Sequence, residues 1–140
     1  MDSKVIAELE DIRIRGKGVI NPHALVERAK PKNNPLHSYF EWDNKIAGHN
    51  YRLWQARKMI SVIVTSAPTT DEEIRAYVSL PTDRNIQGGY RAIIDVLSDD
   101  TWRQALLEQA FKDFQIFKQR YDQLVELAPI FEAYETVKIS

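Results

Sequence analysis

The residues best suited to a chemical role are basic and amide side chains between positions 45 and 58. Lys45, His49, Asn50, Arg52, Gln55 and Lys58 are types that hold phosphates and read base edges, and they recur through one stretch of helical periodicity. Arg84, Asn85 and Gln87 lie in a second polar segment that ends at Gly88-Gly89. The chemistry these residues suggest is non-covalent contact with duplex DNA, through phosphates first and base edges second.

Other constellations offer less. His23, His37 and His49 are not paired with one another or with a carboxylate at metal spacing, so no metal or acid–base histidine is expected. Asp71-Glu72-Glu73 and Asp99-Asp100 are neighbours in polar runs, whereas a catalytic pair converges in a cleft. Gly16-Lys17-Gly18 and Gly88-Gly89 lack the spacing and the Lys-Ser/Thr ending of a phosphate loop. No serine sits in a nucleophile-elbow pattern. The expectation is a non-enzymatic protein with no cofactor and no metal.

Composition agrees with an ordinary globular chain. Hydrophobic residues make up 44% and charged residues 28% of the 140, a globular composition rather than a disordered one. There is no cysteine, so disulfides, thiolate zinc sites and thiol nucleophiles are excluded. Met1-Asp2-Ser3-Lys4-Val5 lacks a charged n-region before an apolar stretch, and the apolar run at 59–64 is too short to span a bilayer. A cytoplasmic protein without membrane contact is expected. Residues 1–66 carry 11 Lys/Arg against 7 Asp/Glu, an excess of +4, while residues 67–140 carry 8 against 13, or −5. A polyanion is therefore expected to meet the N-terminal half.

The elements that must position these residues follow from periodicity. Ser3 reads as the cap of a helix over 3–11, followed by an alternating strand Ile12-Arg13-Ile14-Arg15. Asn21-Pro22 opens a helix that Pro31 ends. Tyr39, Phe40 and Trp42 form an aromatic cluster, either plugging a helix junction or standing as an exposed platform. Asp43 or Asn44 caps a helix over 45–59 whose inner face is Ile46, Ala47, Asn50, Tyr51, Leu53 and Trp54. Strands are expected over 60–65 and 74–80, and over 90–97 with a helix as the other reading.

Ser98 then reads as the cap of one long amphipathic helix over 99–127, roughly 40 Å in length at the usual rise. Its apolar stripe runs through Trp102, Leu106, Ala110, Phe114, Phe117, Tyr121 and Leu124, widened by Leu107 and Phe111. Phe114, Phe117, Tyr121 and Leu124 are its distal part and the expected interface with a second copy or another protein. Pro129 is expected to break the helix, leaving a turn over 130–134 and a frayed tail.

The fold class expected is α+β: N-terminal helices, a small antiparallel sheet and the long C-terminal helix. Its helix–helix–strand–strand order is compatible with a winged helix-turn-helix, in which 45–59 is the recognition helix and Arg84 lies near the wing. An α+β fold with merely solvated basic helix faces is the alternative. The expected division is an N-terminal domain over 1–97 and a helical packing or oligomerisation region over 98–140.

The strings Gly18-Val19-Ile20-Asn21-Pro22-His23-Ala24-Leu25-Val26-Glu27-Arg28, Asn34-Pro35-Leu36-His37-Ser38-Tyr39-Phe40-Glu41-Trp42-Asp43 and Tyr51-Arg52-Leu53-Trp54-Gln55-Ala56-Arg57 resemble a family of small phage- and prophage-encoded proteins. The segments Ala76-Tyr77-Val78-Ser79-Leu80, Gly89-Tyr90-Arg91 and Leu97-Ser98-Asp99-Asp100 extend the likeness. The resemblance implies a phage setting and carries over no catalytic residue. In layout alone the chain is similar to small terminase subunits, which join a DNA-binding helical part to an oligomerising one, although its expected sheet departs from them. The partners expected are duplex DNA and either a second copy or another phage or host protein.

Overall fold

A computed structural model describes residues 2–84 and 89–139. The chain divides into two compact units, Met1–Gln55 and Ala56–Ser140. The fold class is α+β, with helices predominating over two small antiparallel ribbons.

In the first unit α1 (Ser3–Arg15) is capped by Asp2, whose carboxylate accepts the Lys4 N–H at 2.9 Å; Ser3 is already helical. The helix absorbs the strand expected over Ile12–Arg15. Val5 and Ile12 are seven residues apart and both buried, with Leu9 packed between them, so helical spacing serves the core where alternation would split it. Ion pairs Arg13–Glu10 and Arg15–Asp11, both at 2.8 Å, line the exposed side. Asn21 caps α2 (Pro22–Ala29), as its Asn-Pro start predicts. Arg28 of α2 bridges to Glu8 and Asp11 of α1 at 2.8 Å each, and its guanidinium holds the Asp11 carboxyl below its ordinary pKa. Ala29 and Leu36 complete the core.

The aromatic cluster is a plug for this core. Trp42 Nε1 donates to the His37 carbonyl at 2.8 Å, and the two rings stack at 4.9 Å. His37 Nδ1 donates to the Ala29 carbonyl at 2.8 Å, which locks the turn onto the end of α2. Phe40 and Trp42 pack on the buried residues, whereas Tyr39 faces solvent. Asp43 then caps α3 (Asn44–Ser61), accepting from the Lys45 and Ile46 N–H groups.

The second unit is built on short strands. β1 (Val64–Ser66) pairs with β2 (Glu73–Arg75), and β3 (Tyr77–Val78) pairs with β4 (Arg91–Ala92), both antiparallel. The strand expected over 60–65 therefore starts later, because α3 continues to Ser61. The strand expected over 74–80 is cut at Ala76. Its N–H bonds to Ile63 on one side and its carbonyl accepts from Ile93 on the other, so the chain changes ribbons at that residue. Residues 90–97 are mostly helical: α5 (Ile93–Ser98) buries Ile93 and Val96 at a three-residue spacing. α4 (Pro81–Arg84) occupies the start of the expected loop.

Asp83 fixes these pieces. Its carboxylate accepts Arg91 Nε at 3.0 Å and the Leu80 N–H at 3.2 Å, and the Arg91 guanidinium covers the Trp102 ring at 4.2 Å. Arg91 holds the buried Asp83 carboxyl below its ordinary pKa, against the opposing effect of burial.

Asp99, not Ser98, caps α6 (Asp100–Tyr121), accepting the Trp102 N–H at 2.9 Å. The long helix ends at Tyr121 rather than near 127. After a 3₁₀ turn at Val125–Leu127 the chain enters α7 (Ala128–Ile139), which replaces the expected turn and frayed tail. Pro129 does not break a helix here. It occupies the first turn of α7, where a missing N–H has no consequence. Phe111 and Phe114 meet Tyr134, while Phe114 and Phe117 meet Phe131, so α7 runs antiparallel to α6. The Tyr134 hydroxyl donates to the Phe111 carbonyl at 3.0 Å.

A depressed carboxylate pKa adds stability above the ordinary carboxylate range and loses it as pH falls through the depressed value. Asp83→Asn should therefore cost about 2 kcal/mol at neutral pH, the loss of hydrogen bonds to a charged group. Urea unfolding should show the gap between variant and wild type present at neutral pH and closing as pH falls below the ordinary carboxylate range. An equal gap at both pH values would deny the ion pair this role.

Candidate functional site

Among the described residues α3 differs from every other long helix. Between Asn44 and Ser61 it carries Lys45, Arg52, Arg57 and Lys58 and no Asp or Glu. The next carboxylates in sequence are the cap Asp43 and, beyond the helix, Asp71. None of its residues is buried. The expected inner face is therefore overturned: Ile46, Tyr51, Leu53 and Trp54 are 40–58% exposed. A recognition helix in a winged helix-turn-helix has one face seated on its neighbours, and α3 buries none. The order of three helices followed by an antiparallel ribbon is present, but that packing is not.

Lys45, His49, Arg52 and Gln55 follow one another at spacings of four, three and three, which brings them to one exposed face of the helix. Among the described residues, Lys45, Arg52 and Arg57 form no ion pair. Lys58 does not join that face. Six residues beyond Arg52, it stands about 120° round the helix, on the side of Tyr51 and Trp54. The Tyr51 and Trp54 rings stack on each other at 5.6 Å. Arg84 lies in the second unit, where its guanidinium donates to the Ser79 carbonyl at 3.2 Å. Asn85 and Gln87 lie outside the described residues.

The second candidate surface is the α6–α7 hairpin. Of the four expected interface residues, Phe114 packs within its own chain, 4.5 Å from Tyr134 and 6.2 Å from Phe131 between ring centroids. Phe117 and Leu124 remain 42% and 49% exposed, and Tyr121 is half-buried against Phe117. A groove of about 340 Å³ runs between the helices. Phe111, Phe114 and Tyr134 line it together with Ala110, Ile130, Ala133 and Val137. The contribution of α7 was hidden in the sequence by Pro129. Its signal was the spacing Ile130–Ala133–Val137, a helical repeat directly after a helix-starting proline.

Among the described residues no group of three His, Asp or Glu could hold a metal ion. No helix among them is long and apolar enough to cross a membrane. No protein-family model matches the chain, and neither does any curated protein or solved structure.

Gly48 tests the independence of the α3 face. A Cβ there would meet only Arg52 Nη1, at 3.6 Å. Gly48→Ala should thus raise stability by about 0.5–1 kcal/mol through helix propensity, with a gain in far-UV helicity. A loss of stability would mean that the backbone at Gly48 is packed against something.

Proposed function

We propose that this chain is a non-enzymatic, phage-type DNA-associated protein that contacts duplex phosphates through α3 and self-associates through its C-terminal helices. The observation that carries the DNA contact is that α3 holds no carboxylate and buries none of its residues. A solvated basic face normally interleaves carboxylates that lower its field, and α3 has none. Lys45 and Arg52 supply phosphate contacts, while His49 and Gln55 lie on the same face within reach of base edges. Arg57 and Lys58 extend the positive field around the helix. Arg84 serves as a contact only if its own unit also meets the duplex.

A second reading has its own support. The half-exposed apolar residues of α6 and α7 favour an interaction or morphogenesis factor that binds another phage or host protein without DNA.

Gel retardation with duplex DNA separates the two. Binding at low salt should weaken steeply as salt rises, and Arg52→Gln and Lys45→Gln should each lower the salt slope by about one. Absence of retardation at low salt excludes the DNA reading and leaves the interaction reading.

A further inference from the structure

We infer that α3 holds an unpaired nucleotide of a single-stranded nucleic acid, its base stacked on Tyr51 in a notch floored by Gly48. The inference rests on the α3 contact proposed above and names the form of nucleic acid that this face takes. Tyr51 and Trp54 stack at 5.6 Å with their ring planes 14° apart, yet they stay 58% and 49% exposed. Gly48 and Trp54 stand three residues to either side of Tyr51. Trp54 therefore backs one face of the Tyr51 ring, and the other face looks over Gly48. Among the described residues a Cβ at Gly48 would meet only the Arg52 guanidinium, at 3.6 Å, so the helix surface is open there. Glycine weakens a helix interior, and no close neighbour requires one at this position.

The occupant follows from what surrounds the notch. Arg52 leans back over Gly48 from the next turn, and Lys45 stands three residues before it. No carboxylate occurs between Asn44 and Ser61 to offset these cations. An open ring face beside two cations selects a ligand that is planar and anionic at once, and a base joined to its phosphate is both. Gln55, four residues beyond Tyr51, supplies an amide on the same side for the base edge. A paired base keeps both faces inside the duplex stack and cannot lie on Tyr51, whereas an unpaired base can. On a duplex Lys45 and Arg52 would still meet phosphates, but the aromatic pair would have no partner. All of these residues lie in the first unit.

Fluorescence anisotropy of the full chain at low salt, with a labelled oligothymidylate, an abasic strand and a duplex of equal length, tests this. The oligothymidylate should bind about tenfold tighter than the abasic strand, the size of one base stacked on one aromatic ring. Tyr51→Ala should remove that advantage and Tyr51→Phe should keep it. Gly48→Leu, which fills the notch, should remove it as well, whereas Arg52→Gln should weaken both single strands alike. Far-UV circular dichroism checks that each variant folds; if Gly48→Leu does not, the two Tyr51 variants decide alone. Equal binding of the oligothymidylate and the abasic strand, or a full advantage in Tyr51→Ala, overturns the inference, while retained duplex binding leaves the α3 contact standing. No binding of any strand or of the duplex removes both.

Discussion

Phe114 lies among Phe117, Phe131 and Tyr134, and this aromatic contact turns the C-terminal segment back on itself. Rings meeting at tilted or offset angles gain more than their buried area alone. Here they hold α6 and α7 as an antiparallel pair. Phe131 and Tyr134 are buried, yet α6 contributes no buried residue of its own. The pair thus leaves Leu107, Phe117, Ile130 and Val137 partly in water. Apolar side chains left half in water retain most of their driving force for association.

The second unit keeps its small strands in place by a different means. Its ribbons are two and three residues long, too short to hold themselves. Asp83, Arg91 and Trp102 tie α4, β4 and α6 together through a charge-assisted hydrogen bond and a cation over an aromatic face. Around them Leu80, Ile93 and Val96 form the small apolar core.

The first unit closes on itself in a way that leaves α3 unemployed. Arg28 is occupied by Glu8 and Asp11, and His37 and Trp42 by backbone carbonyls and each other. Arg13 and Arg15 of α1 and Arg28 of α2 are thereby paired with local carboxylates. α3 itself carries no carboxylate, and among the described residues its Lys45, Arg52 and Arg57 form no ion pair. The two surfaces proposed to carry function differ in the same way from their surroundings: each presents side chains that the fold itself does not satisfy.

The sequence by itself determined the local events. Asn21-Pro22 specified the start of α2, the Asp43-Asn44 pair that of α3, and the stripe from Trp102 to Leu124 specified α6 up to its end at Tyr121, because caps, proline and helical period act within a few residues. The basic run on α3 and the absence of cysteine were likewise legible directly. What tertiary structure decided was every case in which a short pattern fits two geometries. Ile12-Arg13-Ile14-Arg15 alternates like a strand, but Val5 and Ile12 can share one core only as a helix. Residues 74–80 alternate as one strand, yet the backbone of Ala76 serves both Ile63 and Ile93 and divides it. Pro129 marks a helix end as readily as a helix start, and only the docking of Phe131 and Tyr134 on Phe114 chose the start. The same limit applies to the candidate sites. Periodicity assigned α3 an inner face that the fold never covered, since burial depends on what another part of the chain brings to that face.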